Sequence, residues 1–350
     1  MIAGVPRTQM TEREYRKLDA LSQSMIKDFA KDRKKFQQKY ILGEEVKDEE
    51  SPAMLMGNLV DCMKFTPADF ENRYCMGACT SKPTEKMLVF VNTLFEETVK
   101  CLDEQGEITR PFVDLATIAR ERAEYKISLE QILKSFVGKE PEVYYRDLLH
   151  SIGKTVISQK ERETAEKIVE ALDRSPFTGP IFNPTDEAIE EIYQYPILDF
   201  TILEMECKGL LDKFEINHRE EYIQPWDLKV TWSVEGFYKE YYLGKKGYIQ
   251  AGVYDIGCKV FRDANYPNYE VRPMKFVVAD SANYYAPLIY ELSAQDIVDA
   301  LKGFTHRGYP YKGVFQLVSE IKWHQTMDIW DMSMENFLNE GRVNLSTLKV

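Results

Sequence analysis

Histidine is scarce in this chain of 350 residues, with only four copies. Cysteine is not concentrated either. Six residues (Cys62, Cys75, Cys79, Cys101, Cys207 and Cys258) are scattered, and Cys75 and Cys79 are the closest pair. A Cys/His zinc site needs tighter clustering, and an iron–sulfur cluster needs four suitable ligands, so neither is expected. Scattered thiols of this kind read as reduced, in a cytosolic compartment. Positive charge is in deficit: 45 Lys and Arg against 57 Asp and Glu give a net charge of −12. A protein that coats nucleic acid by its overall charge is basic. Any nucleic-acid contact here therefore has to come from a local patch or a lined channel. No apolar run reaches membrane-spanning length. The opening residues, MIAGVPRTQMTEREYRK, lack the apolar core of a signal peptide.

Chemistry-bearing residues gather between Glu206 and Tyr254. Alternate residues of a strand share a face. In Asp227-Leu228-Lys229 the carboxylate and the ammonium therefore share one side and Leu228 takes the other. Tyr222-Ile223 and Val230-Thr231 have strand propensity. Asp212 closes a preceding strand-like run, Cys207 to Ile216, and the polar residues 217–221 form the connection. A hairpin of the two runs would set Asp212 beside Asp227. Two carboxylates converging on one spot repel each other unless a cation sits between them. Mg²⁺ prefers oxygen ligands. Such an ion activates water and stabilises charge on a phosphoryl oxygen, with Lys229 orienting the water or neutralising that charge. This is the chemistry of phosphodiester hydrolysis. Gln250 and Tyr254, four apart, share one face of a helix. The plainer alternative is a surface ion pair on a solvated strand and an ordinary helix face.

Taken in order, G-L-L-D, D-L-K-V-T and Y-I-Q-A-G-V-Y resemble the PD-(D/E)xK nuclease superfamily. The resemblance is to its RecB-like branch, which carries a Q-x-x-x-Y motif, and within that branch to the exonuclease VIII (RecE-type) nuclease domain. L-S-Q-S-M-I-K-D-F, from Leu21, is similar to the opening helix of such domains. The resemblance covers roughly 20–65 and 188–315. It implies an α/β core, a central mixed β-sheet flanked by helices and restriction-endonuclease-like, with a helical insertion. It implies Mg²⁺ or Mn²⁺ as cofactor, held by Asp212 and Asp227, with Asp212, Asp227 and Lys229 as the catalytic set. Gln250 and Tyr254 would contact DNA or brace the site. The family pattern G-T-x-x-H appears here as Gly57-Asn58-Leu59-Val60-Asp61, so Asp61 stands where a metal-binding His is expected. A carboxylate is a still harder ligand. Asp61 is thus expected as a third metal ligand, and the other reading is an impaired site.

Along the chain, Ser22 is a plausible N-cap for a helix with an apolar stripe of Met25, Ile26, Phe29, Phe36 and Tyr40. Its other face carries Lys27, Lys31, Arg33, Lys34, Lys35 and Lys39, the densest basic run, and reads as either solvated or phosphate-contacting. Ser24 and Lys27 are candidate DNA contacts. An acidic loop follows at 44–51, then a helix from Pro52 in which Gly57 would allow close packing. Residues 78–187 read as a helical insertion without repeats, with helices at 85–102, 116–136 and 157–172. Lys154 and Arg162 are its cationic candidates. Strands begin near Ala188. Ser233 would cap a helix holding Phe237, Tyr238, Tyr241 and Tyr242, and the cluster of Lys239, Lys245 and Lys246 with these tyrosines suits backbone contact and base stacking. Glu206 is read as either a site neighbour or a solvated residue. Residues 274–280 and 286–292 read as strands, Ser293 as the cap of a helix, and His324 as a non-ligand.

The expected organisation is 1–77 as N-terminal helices of the core, 78–187 as the insertion, 188–320 as the sheet core and 321–350 as a tail. The expected activity is metal-dependent, exonucleolytic hydrolysis of DNA. The resemblance also implies a phage-type recombination setting, a homo-oligomeric ring, a single-strand annealing protein as partner and a bacterial or phage-infected cytoplasm. The alternatives are a Cas4-like or repair nuclease acting on single strands or flaps, and a catalytically impaired DNA-binding or assembly subunit of the same fold.

Overall fold

The computed structural model of the protein describes residues 10, 12–44, 51–79, 82–103 and 107–343. Most of the acidic loop at 44–51 lies outside them. The chain forms two compact units: 1–57 with 170–350, and 58–169. The limits read from composition, 77/78 and 187/188, differ from this division because the chain changes unit inside two helices.

The N-terminal part of the first unit runs α1 (Glu12–Arg16), β1 (Leu21–Ser22), α2 (Gln23–Lys31) and α3 (Arg33–Phe36), then a π-helical turn, Gln37–Ile41. The Ser22 hydroxyl accepts from the Met25 amide at 3.3 Å and starts α2 as expected. The stripe is interrupted at Asp32, whose backbone is extended. Its carboxylate takes the amides of Lys34 and Lys35 at 3.0 and 3.1 Å, which begins α3. Ile26, Phe29 and Phe36 are buried all the same.

Helix α4 (Pro52–Phe65) carries the chain into the second unit. A Cβ at Gly57 would meet nothing within 4 Å among the described residues. The second unit continues with α5 (Phe70–Arg73), β2 (Tyr74–Met76), α6 (Glu85–Val99), α7 (Phe112–Arg122), α8 (Leu129–Phe136), α9 (Glu140–His150) and β3 (Thr155–Ile157), and leaves through α10 (Gln159–Arg174). The single helix expected at 116–136 is two. Glu124 adopts φ of 49° and Ser128 caps α8 with a capping box closed by Gln131. Phe90, Leu94, Leu115, Ile132 and Phe136 centre this unit's own core. Its cationic candidates are committed locally. Lys154 donates to the Glu71 carbonyl at 2.7 Å, and Arg162 pairs with Glu166 at 2.9 Å.

The first unit resumes with α11 (Gly179–Phe182), β4 (Ile189–Ile202), β5 (Met205–Asn217) and β6 (Tyr222–Thr231). A π-helical segment, Tyr238–Gly244, leads into α12 (Gly247–Asn265). Then come β7 (Glu270–Val271), β8 (Lys275–Asp280), β9 (Leu288–Glu291), α13 (Ala294–Lys302), the hairpin β10 (Gly303–His306) and β11 (Tyr309–Lys312), α14 (Val314–Met327) and α15 (Met334–Leu338). The seven-stranded sheet is mixed. Its path is β1-β5-β6-β8-β9, with β4 also on β5 and β7 also on β6. The sheet is flanked by helices, as expected. Most of α12 from Gly247 to Cys258 is buried, among them Tyr248, Ile249, Val253 and Cys258, because it packs on β4, β5 and β6 and against α2, α13 and α14. Among the described residues no helix is long and apolar enough to cross a membrane.

One charge is sealed into this unit. Lys213 on β5 has no exposure, and its ammonium meets the Ile181 carbonyl and the Glu191 carboxylate. Removing one partner of a buried pair strands the other. Lys213→Ala is therefore expected to lower stability by about 3 kcal/mol, read as an earlier urea midpoint at unchanged slope.

Candidate active site

Strand β5 has two edges, and β4 occupies one along most of its length. The other edge is shared. β1 pairs there at Leu21↔Cys207 and Ser22↔Lys208, and β6 pairs from Lys213↔Trp226 to Asn217↔Tyr222. Between these two partners the edge is split, at residues 209–212. Asp212 lies in the split, in the middle of β5 rather than at the end of a strand. Its Oδ2 accepts the Leu228 amide at 2.9 Å, in place of a backbone ladder bond. Asp227 follows the last paired residue, Trp226, so the two aspartates face each other where the strands part.

On its other edge β6 runs parallel to β8, with Asp227↔Phe276 and Lys229↔Val278 in register. That pairing holds the backbone of Asp227-Leu228-Lys229 extended. Leu228 points into the apolar core and is buried, while Asp227 and Lys229 share the opposite face. Asp227 is only 1% exposed. Its Oδ1 accepts from Gln250 Nε2, and its Oδ2 forms an ion pair with the Lys229 ammonium. Apart from that ion pair, Oδ2 has no hydrogen-bond partner among the described residues. Lys229 Nζ also donates to the Leu228 carbonyl at 3.1 Å.

Gln250 on α12 uses both ends of its amide. The oxygen accepts from the Tyr241 hydroxyl at 3.0 Å and from Lys27 Nζ at 3.3 Å, which leaves the nitrogen to donate to Asp227. Lys27 arrives on α2, which β1 ties to β5. Its ammonium and that of Lys229 lie over the Tyr241 ring, 5.4 and 5.7 Å from its centroid. Burial, with Lys229 nearby, lowers the Lys27 pKa to about 7 against the pull of Asp227 and Asp28. Burial raises the Tyr241 phenol well above its usual range. Tyr254, one turn after Gln250, donates its hydroxyl to the Leu210 carbonyl at 2.7 Å. Its ring lies where a Cβ on Gly209 would come within 3.2 Å. Tyr254 thus braces β5 two residues before Asp212.

No protein-family model matches this chain, and no curated protein matches it. The chain is similar to a solved structure. That structure is named "Putative exonuclease" and comes from Eubacterium rectale; identity is 14%, each chain is covered over 98% of its length, and the TM-score is 0.48.

The structure therefore brings Asp212, Asp227, Lys229, Gln250 and Lys27 into one cluster, with Tyr254 behind it. Ser24 is exposed on α2, its hydroxyl 2.8 Å from that of Ser22, and Lys245 is exposed at the end of the π-helical segment. Glu206 is exposed. Asp61 is half-buried on α4, in the second unit. His324 is buried, its Nδ1 against the Ile329 carbonyl and its ring stacked on Trp330 at 5.3 Å. Among the described residues no three His, Cys, Asp or Glu side chains group as a metal cage. The carboxylate pair offers two. As a donor set, two carboxylates at a strand split, one with a buried oxygen lacking a hydrogen bond, suit a hard cation that keeps its own waters. Tyr241, read from the sequence only as a stacking or backbone-contact candidate, belongs to the cluster itself through Gln250. It sits on a π-helical segment, where the 3.6-residue period used to assign faces does not apply.

Proposed function

We propose that this chain is a metal-dependent nuclease that hydrolyses DNA phosphodiesters, exonucleolytic in action. The observation that carries the reading is Asp227. It is a buried carboxylate faced by Asp212 across a strand split, with Lys229 beside it and its own orientation fixed by Gln250. A hidden aspartate with that much support is costly unless it has work to do. The order D, D-x-K, Q-x-x-x-Y in the sequence supports the same reading.

Asp212 and Asp227 would hold Mg²⁺ or Mn²⁺, with Asp61 proposed as a further ligand. The ion's chemistry there is Lewis-acid stabilisation of phosphoryl charge and a lowered pKa for bound water. Gln250 keeps Asp227 from rotating. Lys229 orients the attacking water and balances charge at the phosphate. Lys27 and Tyr241 hold the Gln250 amide oxygen, so that its nitrogen stays turned towards Asp227. Tyr254 holds β5, and with it Asp212, in place.

The test is cleavage of end-labelled blunt duplex, nicked circle and single strand side by side, with Mg²⁺, Mn²⁺ or EDTA. Metal-dependent shortening of linear substrates is expected, with Asp227→Ala and Lys229→Ala each reducing the rate by about 10²–10³. Activity that survives both substitutions would remove the site assignment. Asp61→Ala against Asp61→His, in the same assay, separates a ligand from a bystander.

A further inference from the structure

The segment that delivers Tyr241 to the cluster has a second, outward side. Tyr238 and Lys239 of the same π-helical segment form one wall of a cleft of about 400 Å³, and the β10–β11 hairpin forms the other with His306, Arg307, Tyr309 and Tyr311. No carboxylate is among the described residues that line it. In a chain of net charge −12, a concave surface of tyrosines and cations is a local reversal of sign.

The aromatic parts are built rather than incidental. Tyr311 stacks on Phe304 with centroids 4.9 Å apart and planes 4° apart, and Tyr248 meets both rings edge-on. This fixes the hairpin on α12. Tyr238 stacks on Tyr242 at 5.6 Å and is itself 43% exposed. Tyr309 is 72% exposed and makes no ring contact among the described residues. The hairpin turn is made by Arg307 at φ of 49° and Gly308 at φ of 82°. Such turns favour Asn or Gly at both positions. An arginine in the left-handed region is unfavourable, so the cation at this tip is held against the turn's own preference.

We infer that this cleft binds single-stranded nucleic acid, with bases stacked on Tyr309 and Tyr238 and the backbone held by Arg307 and Lys239. Aromatic faces interleaved with cations are what a strand of unpaired bases requires, since every base has a π-face and every linkage a negative charge. The cleft and the carboxylate cluster share one element, the segment Tyr238–Gly244, which also carries Tyr241. The inference rests on the nuclease reading for the purpose of the cleft.

The experiment is fluorescence anisotropy with a short labelled oligothymidine and its abasic counterpart, in EDTA so that no cleavage occurs. Tyr309→Ala is expected to weaken oligothymidine binding by about 5- to 100-fold, and Tyr309→Phe by less than about twofold. Wild type should lose a similar factor on the abasic strand, and Tyr309→Ala should not distinguish the two strands. Arg307→Asn is expected to raise the melting temperature, by relieving the turn, while weakening binding. A purely structural role for the hairpin would move both in one direction. Unchanged affinity in Tyr309→Ala overturns the inference. So does a change of mass by light scattering in that variant, which would make the cleft a self-association surface. Stacking-dependent binding without metal-dependent cleavage would sink the nuclease reading and leave the cleft standing. Cleavage without stacking-dependent binding would do the reverse.

Discussion

Lys229→Met is expected to bind Mn²⁺ about tenfold more tightly than wild type while cleaving DNA about 10²–10³ times more slowly. Its ammonium pairs with Asp227 Oδ2, on one of the two carboxylates that would hold the ion. A divalent cation entering the pair must break that contact and then tolerate the ammonium as a like charge. Removing the ammonium lifts both penalties. Catalysis moves the other way, because the group that orients water and balances the phosphate is gone. Asp227→Asn should lose both properties, and Gln250 would then face an amide in place of a carboxylate. Asp212→Asn should also weaken metal binding, and in addition remove a charged acceptor from the Leu228 amide. Isothermal titration with Mn²⁺ and a single-turnover cleavage assay separate these outcomes. Weaker metal binding in Lys229→Met would show that the lysine helps hold the ion rather than competing with it.

The part of this site carried by strand alternation was legible in the sequence. The hairpin of β5 and β6 and the shared face of Asp227 and Lys229 follow from period two. Gln250 and Tyr254 lie on one helix, as their spacing of four suggests, and Ser22 and Ser293 act as the caps their positions suggest. What stayed hidden depends on contacts distant in sequence. A two-residue strand such as β1 leaves no periodic signal, yet its pairing at Cys207 and Lys208 is what splits the edge of β5 and leads Lys27 into the cluster. Tyr241 lies on a π-helical segment, so the α-helical spacing does not tell which face it takes. The β10–β11 hairpin has an Arg-Gly turn in place of the usual Asn-Gly, so nothing local announced it. Gln250 and Tyr254, readable as a helix surface, are both buried. Tertiary packing decided that, and the tetrad spacing alone could not.

Lys27→Met is expected to stabilise the metal-free protein below pH 7 and to lose that advantage as the pH approaches 10. Lys27 titrates near 7 when folded, against 10.5 ordinarily. Between those values the unfolded chain binds more protons than the folded one, so stability rises with pH across that window. Below pH 7 the full penalty of burying the ammonium is present. At about 1.4 kcal/mol per pH unit the lowering corresponds to roughly 5 kcal/mol as an upper bound, and water reaching a half-buried side chain brings it to about 2–3 kcal/mol. Methionine keeps the packing of the stem without the charge. Urea unfolding in EDTA at pH 6, 8 and 10 reads the difference directly, and a gain independent of pH would contradict it. The same proton bears on function. With Lys27 neutral, two carboxylates face one ammonium and the cluster carries net negative charge. Metal affinity in wild type should therefore rise as the pH passes through 7, and in Lys27→Met it should stay level over the same range.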